Sequence, residues 1–313
     1  MGDLLSVAAL FPGQGSQYVG MADPWLSHAV GREVIEEASD AWGRDVAQLC
    51  KDESALSLTE VVQPALLACD VAAFRVLRAE GVEFSAAAGH SLGEFAALVA
   101  AGALELGPAL QTVIVRGRAM QEASDAVPST MTAIIGLSSE DVTELCAIAG
   151  RGDVLQVANE NAPSQVVISG SVGAIERAEN LARSRNAKAI RLKVAGAFHS
   201  PLMKPALARV RESLAGLTFR QPAFAVIPNV SGRPTNEPSA LRDLLSRQMT
   251  APVRWEATMQ SAADIGIRVF AEAGPGAVLA KLARRCLKGT EAASIGSPEE
   301  AVSFASAMKE RAE

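Results

Sequence analysis

The sequence has few histidines, cysteines and aromatic residues. Its 313 residues include three histidines, four cysteines and one tyrosine. The cysteines form no C-x-x-C pair and none stands at metal-ligand spacing from a histidine, so we predict neither a metal site nor a disulfide framework. We interpret them as small core residues of a protein in a reducing compartment, and we expect the cytoplasm. The four are Cys50, Cys69, Cys146 and Cys286.

The sequence also lacks long apolar runs and an excess of positive charge. No apolar run reaches the roughly 18 residues that cross a bilayer, and no basic segment at the N-terminus suggests a secretory signal. The formal net charge is −6, whereas nucleic-acid binding needs basic patches and aromatic stacking platforms. The composition, with 49% apolar residues, is typical of a globular protein. We therefore predict neither a membrane nor a nucleic-acid partner.

Strands and long helices alternate in the first part of the chain. This order predicts a parallel sheet covered by helices on both faces, because parallel strands need crossover connections. The predicted strands are Leu4–Phe11 and Phe84–Ala88. The predicted helices are His28–Trp42, Val61–Glu80, Glu94–Ala101 and one from Gly107 to about Ala123.

The pattern changes after Pro128, where the predicted order becomes β-α-β-β-α-β, the ferredoxin-like order. We predict an α/β fold in which a small ferredoxin-like domain, residues 128–195, is inserted in a large parallel-sheet domain, residues 1–127 and 196–313. The small domain has predicted strands Met131–Leu137, Val154–Ala158, Gln165–Ser169 and Lys188–Val194, and helices Ser139–Ala149 and Val172–Arg185. The large domain resumes with helices Met203–Ala215, Ala240–Met249 and Gly276–Leu287 and strands Ala225–Asn229 and Ile267–Ala271. From Gly289 onward we expect a weakly anchored strand and helix.

A G-x-S-x-G motif follows the second predicted strand, at Gly89–Gly93. A helix-forming run comes directly after it, so the motif predicts a strand, a sharp turn and a helix, with Ser91 at the turn. The flanking glycines permit the strained turn, which lifts the serine hydroxyl into a pocket. The alternative is a purely structural turn, because such a string also arises by chance. We favour a nucleophilic serine that forms a covalent acyl-enzyme.

A serine nucleophile needs a base, and the chain offers three histidines. His28 lies in a polar amphipathic stretch, and His90 adjoins Ser91 on a turn where neighbouring side chains diverge. His199 lies in the loop that leaves the small domain, so it can reach the junction between the domains, and we predict that it is the base. No acidic residue that could orient the imidazole is evident between Ser91 and His199. This predicts a Ser-His dyad in which a backbone carbonyl or an amide holds the imidazole.

Five short motifs occur in order along the chain. They read FPGQGSQ, GHSLGE, RGRAMQ, QVVISG and FHS, at Phe11–Gln17, Gly89–Glu94, Arg116–Gln121, Gln165–Gly170 and Phe198–Ser200. Together they closely resemble the malonyl-CoA:acyl carrier protein transacylases of fatty-acid and polyketide synthesis. The resemblance implies that the large domain is α/β-hydrolase-like. It also implies a transfer in two halves, from coenzyme A to the serine and then to the phosphopantetheine thiol of a carrier protein.

The resemblance assigns roles to residues of the chain. Ser91 corresponds to the nucleophile and His199 to the general base, which then acts as an acid. The backbone N–H groups of Gln14 and Leu92 correspond to the oxyanion hole. Arg116 resembles the residue that grips the free malonyl carboxylate, a task for which a guanidinium fork is suited.

Four further residues match family positions around the acyl group. Asn161 and Gln165 resemble polar groups near the bound acyl chain, and Gln248 matches the position whose backbone carbonyl orients the histidine. Leu92 and Phe198 resemble the malonyl-selective pattern, because bulk at Phe198 leaves less room for a 2-methyl group.

The partners expected from the resemblance are a coenzyme A thioester and an acyl carrier protein. The carrier brings its own phosphopantetheine, so we expect no cofactor in the enzyme, and we expect a monomer. Carriers of this class are acidic, and the hypothesised docking patch is a group of basic residues. It consists of Arg183, Arg185, Lys188, Arg191 and Lys193, with Arg284, Arg285 and Lys288 as a rival patch.

Two other functions stay open at this point. One is a serine esterase or thioesterase of α/β-hydrolase type, which predicts an acidic triad member and has no use for Arg116. The other is a non-catalytic carrier-docking subunit that has kept the serine turn. The combination of Gln14, Ser91, Arg116 and His199 argues against the docking subunit, because loss of activity should have removed some of these residues.

Overall fold

The computed structural model describes residues 6–312, so the start of the predicted strand Leu4–Phe11 lies outside the described residues. The strands are β1 Val7–Phe11, β2 Ala86–Gly89, β3 Ser129–Ile135, β4 Leu155–Ala162, β5 Gln165–Ser171, β6 Lys188–Arg191, β7 Ala225–Val226, β8 Val269–Ala273 and β9 Glu291–Ile295. The helices are α1 Ala29–Trp42, α2 Val46–Leu49, α3 Glu53–Ser57, α4 Thr59–Ala79, α5 Gly93–Ala100, α6 Leu106–Ala126, α7 Ser139–Gly150, α8 Val172–Ser184, α9 Lys204–Ala215, α10 Pro238–Arg247, α11 Trp255–Asp264, α12 Val278–Cys286 and α13 Pro298–Ala312. Short 3-10 helices span Asp23–Ser27, Pro201–Met203 and Gln248–Thr250.

Five strands form a parallel sheet in the order β7-β2-β1-β8-β9. Side chains alternate between the two faces of a strand. Val7, Ala9 and Phe11 of β1 accordingly belong to the core that contains α4, whereas Ala8 and Leu10 belong to a second core, which contains residues of α11 and α12. The sheet is therefore buried on both faces, and the predicted α/β class is confirmed.

The other four strands form an antiparallel sheet in the order β4-β5-β3-β6. With α7 and α8 as the connections, this is the ferredoxin-like arrangement, and all its strands lie between Ser129 and Arg191. Residues such as Ile134 and Ile168 pack against the two helices, while Met131 and Val167 belong to the main core on the opposite face. That second face lies towards the serine turn.

Backbone hydrogen bonds join the small sheet to the segment that follows α10. Val253 forms a parallel bridge with Asn159 of β4. Its N–H donates to the carbonyl oxygen of Ala158 at 2.8 Å, and its carbonyl oxygen accepts from the N–H of Glu160 at 2.9 Å. Val253 comes shortly after the 3-10 helix Gln248–Thr250, so this helix is held close to the small sheet.

The structure corrects three expectations. The end of the chain is firmly packed, since β9 pairs with β8 and α13 buries Ala301, Phe304 and Ala305. Strand β7 is shorter than the predicted Ala225–Asn229, because Pro228 has no N–H for the ladder. The sequence interpretation missed α2, α3 and α11. Within the described residues, no helix has both the length and the apolar character that a bilayer span requires.

Candidate active site

Ser91 stands on a tight turn between β2 and α5. Its φ is +53°, in the left-handed region that a non-glycine residue adopts only under strain. The flanking glycines are required by close packing, because a Cβ at Gly89 would overlap the backbone of Gly93, and a Cβ at Gly93 would overlap the carbonyl of Phe11. The turn therefore depends on glycine at both positions and presents the serine hydroxyl at the carboxyl edge of the sheet.

An asparagine that the sequence interpretation missed holds this turn. Asn229 is fully buried, and its Oδ1 accepts from the N–H of Ser91 at 2.7 Å. Its Nδ2 donates to the carbonyl oxygen of Gly89 at 2.6 Å. One side chain thus bridges the peptide groups on either side of the strained turn. No local motif marks Asn229, because its contact is with residues far away in the sequence.

His199 contacts the serine hydroxyl directly. Its Nε2 lies 2.8 Å from Ser91 Oγ, and its Nδ1 lies 3.0 Å from the carbonyl oxygen of Gln248 and 3.1 Å from that of Ala251. Since both carbonyls can only accept, Nδ1 carries the proton and Nε2 accepts from the Ser91 hydroxyl. The imidazole is oriented by the backbone.

The histidine is held in its neutral form. His199 has 4% of its surface exposed. Burial, followed by the positive charge of Arg116, lowers the pKa of His199 to about 3, although the hydrogen bond to Gln248 opposes the shift. A neutral imidazole next to a hydroxyl can act as a base at ordinary pH.

Arg116 is a buried cation whose hydrogen-bond partners are all neutral. Nη1 donates to Gln63 Oε1 at 2.6 Å, and Nη2 donates to Ser91 Oγ at 3.1 Å and to Gln248 Oε1 at 3.2 Å. Its Nε has no partner within residues 6–312, and no carboxylate there lies within ion-pair distance. Burial lowers the pKa of Arg116 to about 10, although the charge of Glu94 opposes the shift, so the guanidinium remains charged at neutral pH. A buried cation that no carboxylate contacts directly favours an anionic ligand.

A cavity of about 410 Å³ opens in front of these groups, between the two sheets. Neither the N–H of Gln14 nor that of Leu92 donates to a protein acceptor in the described part of the chain, and both residues line the cavity. Gln63, which the sequence interpretation did not single out, lies beside Gln14 and contacts Arg116. The other lining residues come from the small sheet, from the chain that follows β6 and from α12, among them Met131, Asn159, Asn161, Val167, Lys193, Phe198, Val278, Leu279 and Leu282.

The remaining predicted residues separate into two groups. Asn161 and Phe198 line the cavity, and Asn161 Oδ1 lies 2.9 Å from Nε2 of His90. The His90 side chain thus contacts the small sheet. Gln165 does not reach the cavity lining, because its Oε1 accepts from Nη1 of Arg285 at 2.8 Å at the turn end of β5.

Comparisons with known proteins agree with this site. A family model described as an acyl transferase domain matches residues 9–310. The malonyl CoA-acyl carrier protein transacylase of Haemophilus influenzae is 40% identical over 294 residues, which cover 92% of this chain and 94% of that protein. The structure of the malonyl CoA-acyl carrier protein transacylase of Coxiella burnetii has a TM-score of 0.94 and 39% identity, and the match covers 97% of this chain and 98% of that one.

A further solved structure contains a type II polyketide synthase acyl-carrier protein in complex with its malonyl-transacylase. The match has a TM-score of 0.92 and 37% identity, and it covers 96% of this chain and 99% of that one. Because the family model and these relatives extend over nearly the whole length, the likeness includes both sheets and the cavity between them. The chain belongs to the acyl transferase family, as one of the malonyl-CoA:acyl carrier protein transacylases.

Proposed function

We propose that this protein transfers a malonyl group from malonyl-CoA to the phosphopantetheine thiol of an acyl carrier protein through a malonyl ester of Ser91. The observation that carries the proposal is the buried guanidinium of Arg116, which touches Ser91 Oγ at 3.1 Å and has no paired anion within residues 6–312. In a malonyl ester, one methylene separates the free carboxylate from the ester carbonyl. That carboxylate falls within reach of a guanidinium in this place.

In the first half-reaction, His199 Nε2 takes the proton of Ser91 Oγ as the oxygen attacks the thioester carbonyl carbon. The carbon–sulfur bond then breaks, and the imidazolium gives its proton to the departing sulfur of coenzyme A. In the second half-reaction, the imidazole takes the proton of the carrier thiol as the sulfur attacks the ester. The bond from the acyl carbon to Oγ breaks, and the proton returns to Oγ.

The negative charge that develops on the carbonyl oxygen needs donors. Gln14 and Leu92 line the cavity beside Ser91, and their N–H groups have no protein acceptor in the described residues. Free, fixed N–H groups stabilise an oxyanion without reorganising during the reaction. We assign them the oxyanion hole, so the chain needs no metal or cofactor for this chemistry.

Arg116 also links substrate choice to the basicity of His199. Its positive charge is one cause of the low pKa of the imidazole. A bound malonyl carboxylate offsets that charge and so makes His199 a stronger base when a substrate with a free carboxylate is present. Phe198, which lines the cavity next to His199 in the chain, limits the room for a 2-methyl group.

The same proposal names the acceptor protein and the cellular compartment. The acceptor is a carrier protein of fatty-acid or type II polyketide synthesis, as in the related complex. The four cysteines are free, which suits a reducing compartment, and we assign the activity to the cytoplasm.

Intact-mass measurement after mixing with malonyl-CoA tests the proposal. We expect an added malonyl group on the wild-type protein, its loss on addition of a carrier bearing phosphopantetheine, and no adduct on Ser91→Ala. Free malonate released without an adduct would favour an esterase. A protein that never reacts would be the non-catalytic docking subunit.

A further inference from the structure

Glu94 is a buried carboxylate for which the proposed reaction has no assigned use. It lies in the first turn of α5, three residues after the nucleophile, and has 1% of its surface exposed. Burial raises the pKa of Glu94 to about 7, while hydrogen bonds from Gln248 and Asn229 and the charge of Arg116 oppose the rise. An ionisable group in such a place needs a reason, because burying it costs free energy unless its bonds are required.

The carboxylate lies between a backbone amide and a side-chain amide. Its Oε2 accepts from the backbone N–H of Asn229 at 3.0 Å and from Nε2 of Gln248 at 2.8 Å. Asn229 in turn accepts from the N–H of Ser91, and Gln248 Nε2 donates to the carbonyl oxygen of Ser91 at 2.8 Å. Glu94 thus holds both residues that hold the nucleophile's own backbone.

These bonds also fix which way the Gln248 amide faces. Its Nε2 points at two acceptors, Glu94 and the carbonyl of Ser91, so its Oε1 must face the guanidinium of Arg116. The reverse orientation would set the NH₂ group against Arg116 and oxygen against oxygen on the other side. Without Glu94, one of the two acceptors that enforce this orientation is lost.

Gln248 makes contacts on two sides of the site. Its side chain positions Arg116, and its backbone carbonyl accepts from Nδ1 of His199. A substrate that carries a free carboxylate binds well only if the guanidinium is correctly placed. A substrate without that group, such as acetyl-CoA, does not depend on the position of Arg116.

We propose that Glu94 is a positioning residue for malonyl selection: its Oε2 orients the Gln248 amide, which in turn places Arg116 where the malonyl carboxylate is bound. The inference rests on the proposed function. Glu94 touches no reacting atom, and it acts as a hydrogen-bond acceptor. Its negative charge is not needed for this role, and would itself repel the substrate carboxylate.

Single-turnover loading with malonyl-CoA and with acetyl-CoA, followed by intact mass, tests this role. Glu94→Ala should lower the ratio of malonyl to acetyl loading about ten-fold, because the orienting hydrogen bond is lost. Glu94→Gln is the matched control. Both partners of Oε2 are donors, so the new amide turns its oxygen towards them, and the ratio should stay within about three-fold of wild type.

Three outcomes would overturn the inference. Equal losses of malonyl and acetyl loading in Glu94→Ala would indicate a purely structural role. A ratio in Glu94→Gln as low as in Glu94→Ala would assign the effect to charge. An unchanged ratio in Glu94→Ala would remove the role altogether. A wild-type protein without any malonyl adduct would instead contradict the proposed function, so the two failures are distinct.

Gln248→Leu provides a second route if Glu94→Ala does not fold. It removes the amide but keeps the backbone carbonyl that holds His199, so the ratio should fall by a similar factor. Combining both changes should lower the ratio no further than Gln248→Leu alone, since Glu94 acts through Gln248. Additive losses would contradict that route of action.

Discussion

At the scale of single residues, the nucleophile and its base both have a left-handed backbone conformation. Ser91 has φ of +53° and His199 has φ of +55°, in loops of different parts of the chain. Each such conformation costs on the order of 1–3 kcal/mol. The hydrogen bond from Gln156 to the carbonyl of His199, at 2.7 Å, and those of Asn229 to the serine turn offset this cost. The strain aims both side chains at one point in the cavity.

Arg116→Ala should lower the rate of malonyl transfer much more than the rate of acetyl transfer. We expect the kcat/KM for malonyl-CoA to fall about 100-fold or more, because charge-assisted hydrogen bonds to the carboxylate are lost. Acetyl transfer should fall much less. Arg118→Ala is the matched control, since Arg118 lies on the same helix with its side chain 65% exposed. Malonyl transfer that survives Arg116→Ala unchanged would remove the guanidinium from the site.

The low pKa of His199 predicts the pH profile of acyl loading. With a pKa of about 3, the free enzyme keeps a neutral base well below pH 6. The kcat/KM for malonyl-CoA should therefore not fall through His199 between pH 7.5 and 5.5, where a histidine of ordinary pKa would lose about ten-fold. A fall centred near pH 6.5 in loading kinetics would contradict this environment.

The same shift has a consequence for stability. The unfolded chain binds a proton at His199 near pH 6.5, whereas the folded chain does so near pH 3. The contribution of the neutral imidazole to the free energy of unfolding is thus fully present above about pH 6.5. It is lost progressively as the pH falls from about 6.5 towards about 3.

At the scale of elements, one wall of the cavity depends on a carboxylate of strand β8 that caps helix α12. Helix α12 begins after Ala277, which has no side-chain cap. Glu272 of β8, fully buried, accepts instead from the N–H groups of Val278, Leu279 and Ala280 at 3.1, 3.0 and 2.8 Å. Val278 and Leu279 line the cavity, so Glu272 fixes this wall to the sheet.

Glu272→Gln should loosen that attachment. The amide NH₂ would face an N–H group in place of a carboxylate oxygen, and we expect the free energy of unfolding to fall by about 1–3 kcal/mol. Chemical denaturation measures the change. Glu33→Gln, an exposed position on α1, is the control and should change stability by less than about 0.5 kcal/mol. Equal effects at both positions would remove the capping role.

Features that depend on neighbouring residues in the sequence could be predicted well. The serine turn carries its own motif, and the scarcity of histidines singled out His199, whose contact with Ser91 the structure shows. Gln63 and Asn229 were missed because a polar residue in a helix or loop gives no signal until the fold brings it to the site. Gln165 was placed at the acyl chain, yet Arg285 of α12 holds its side chain, a contact that no local pattern encodes.

At the scale of the whole molecule, the two candidate docking patches differ in their electrostatics. The arginines of the first are paired with acids: Arg185 lies 3.0 Å from Glu144, and Arg191 lies 3.0 Å from Glu179. In the second, Arg284 and Arg285 of α12 donate to neutral oxygens. Lys193 of the first patch lines the cavity, as α12 does. Because its arginines have no acidic partner among the described residues, we propose the second patch as the surface for an acidic carrier.

Charge reversal distinguishes the two patches. Arg284→Glu should raise the KM for the carrier several-fold, about what the loss of a rim charge causes, and leave malonyl loading from malonyl-CoA unchanged. Arg185→Glu is the matched control on the first patch and should have little effect on the carrier. The reverse order of effects would assign docking to the first patch, and an equal effect on loading would exclude docking for either.

The short segment from Gln248 to Val253 restricts where this chain can gain or lose residues. Its first part holds the ring of His199, and its last residue is bonded in both directions to β4. One inserted residue would shift one end by about 3.3–3.6 Å, more than a hydrogen bond tolerates. The imidazole or the small sheet would then lose its anchor. Changes in chain length should therefore be accepted in exposed loops elsewhere, whereas insertions or deletions in this segment should abolish acyl loading.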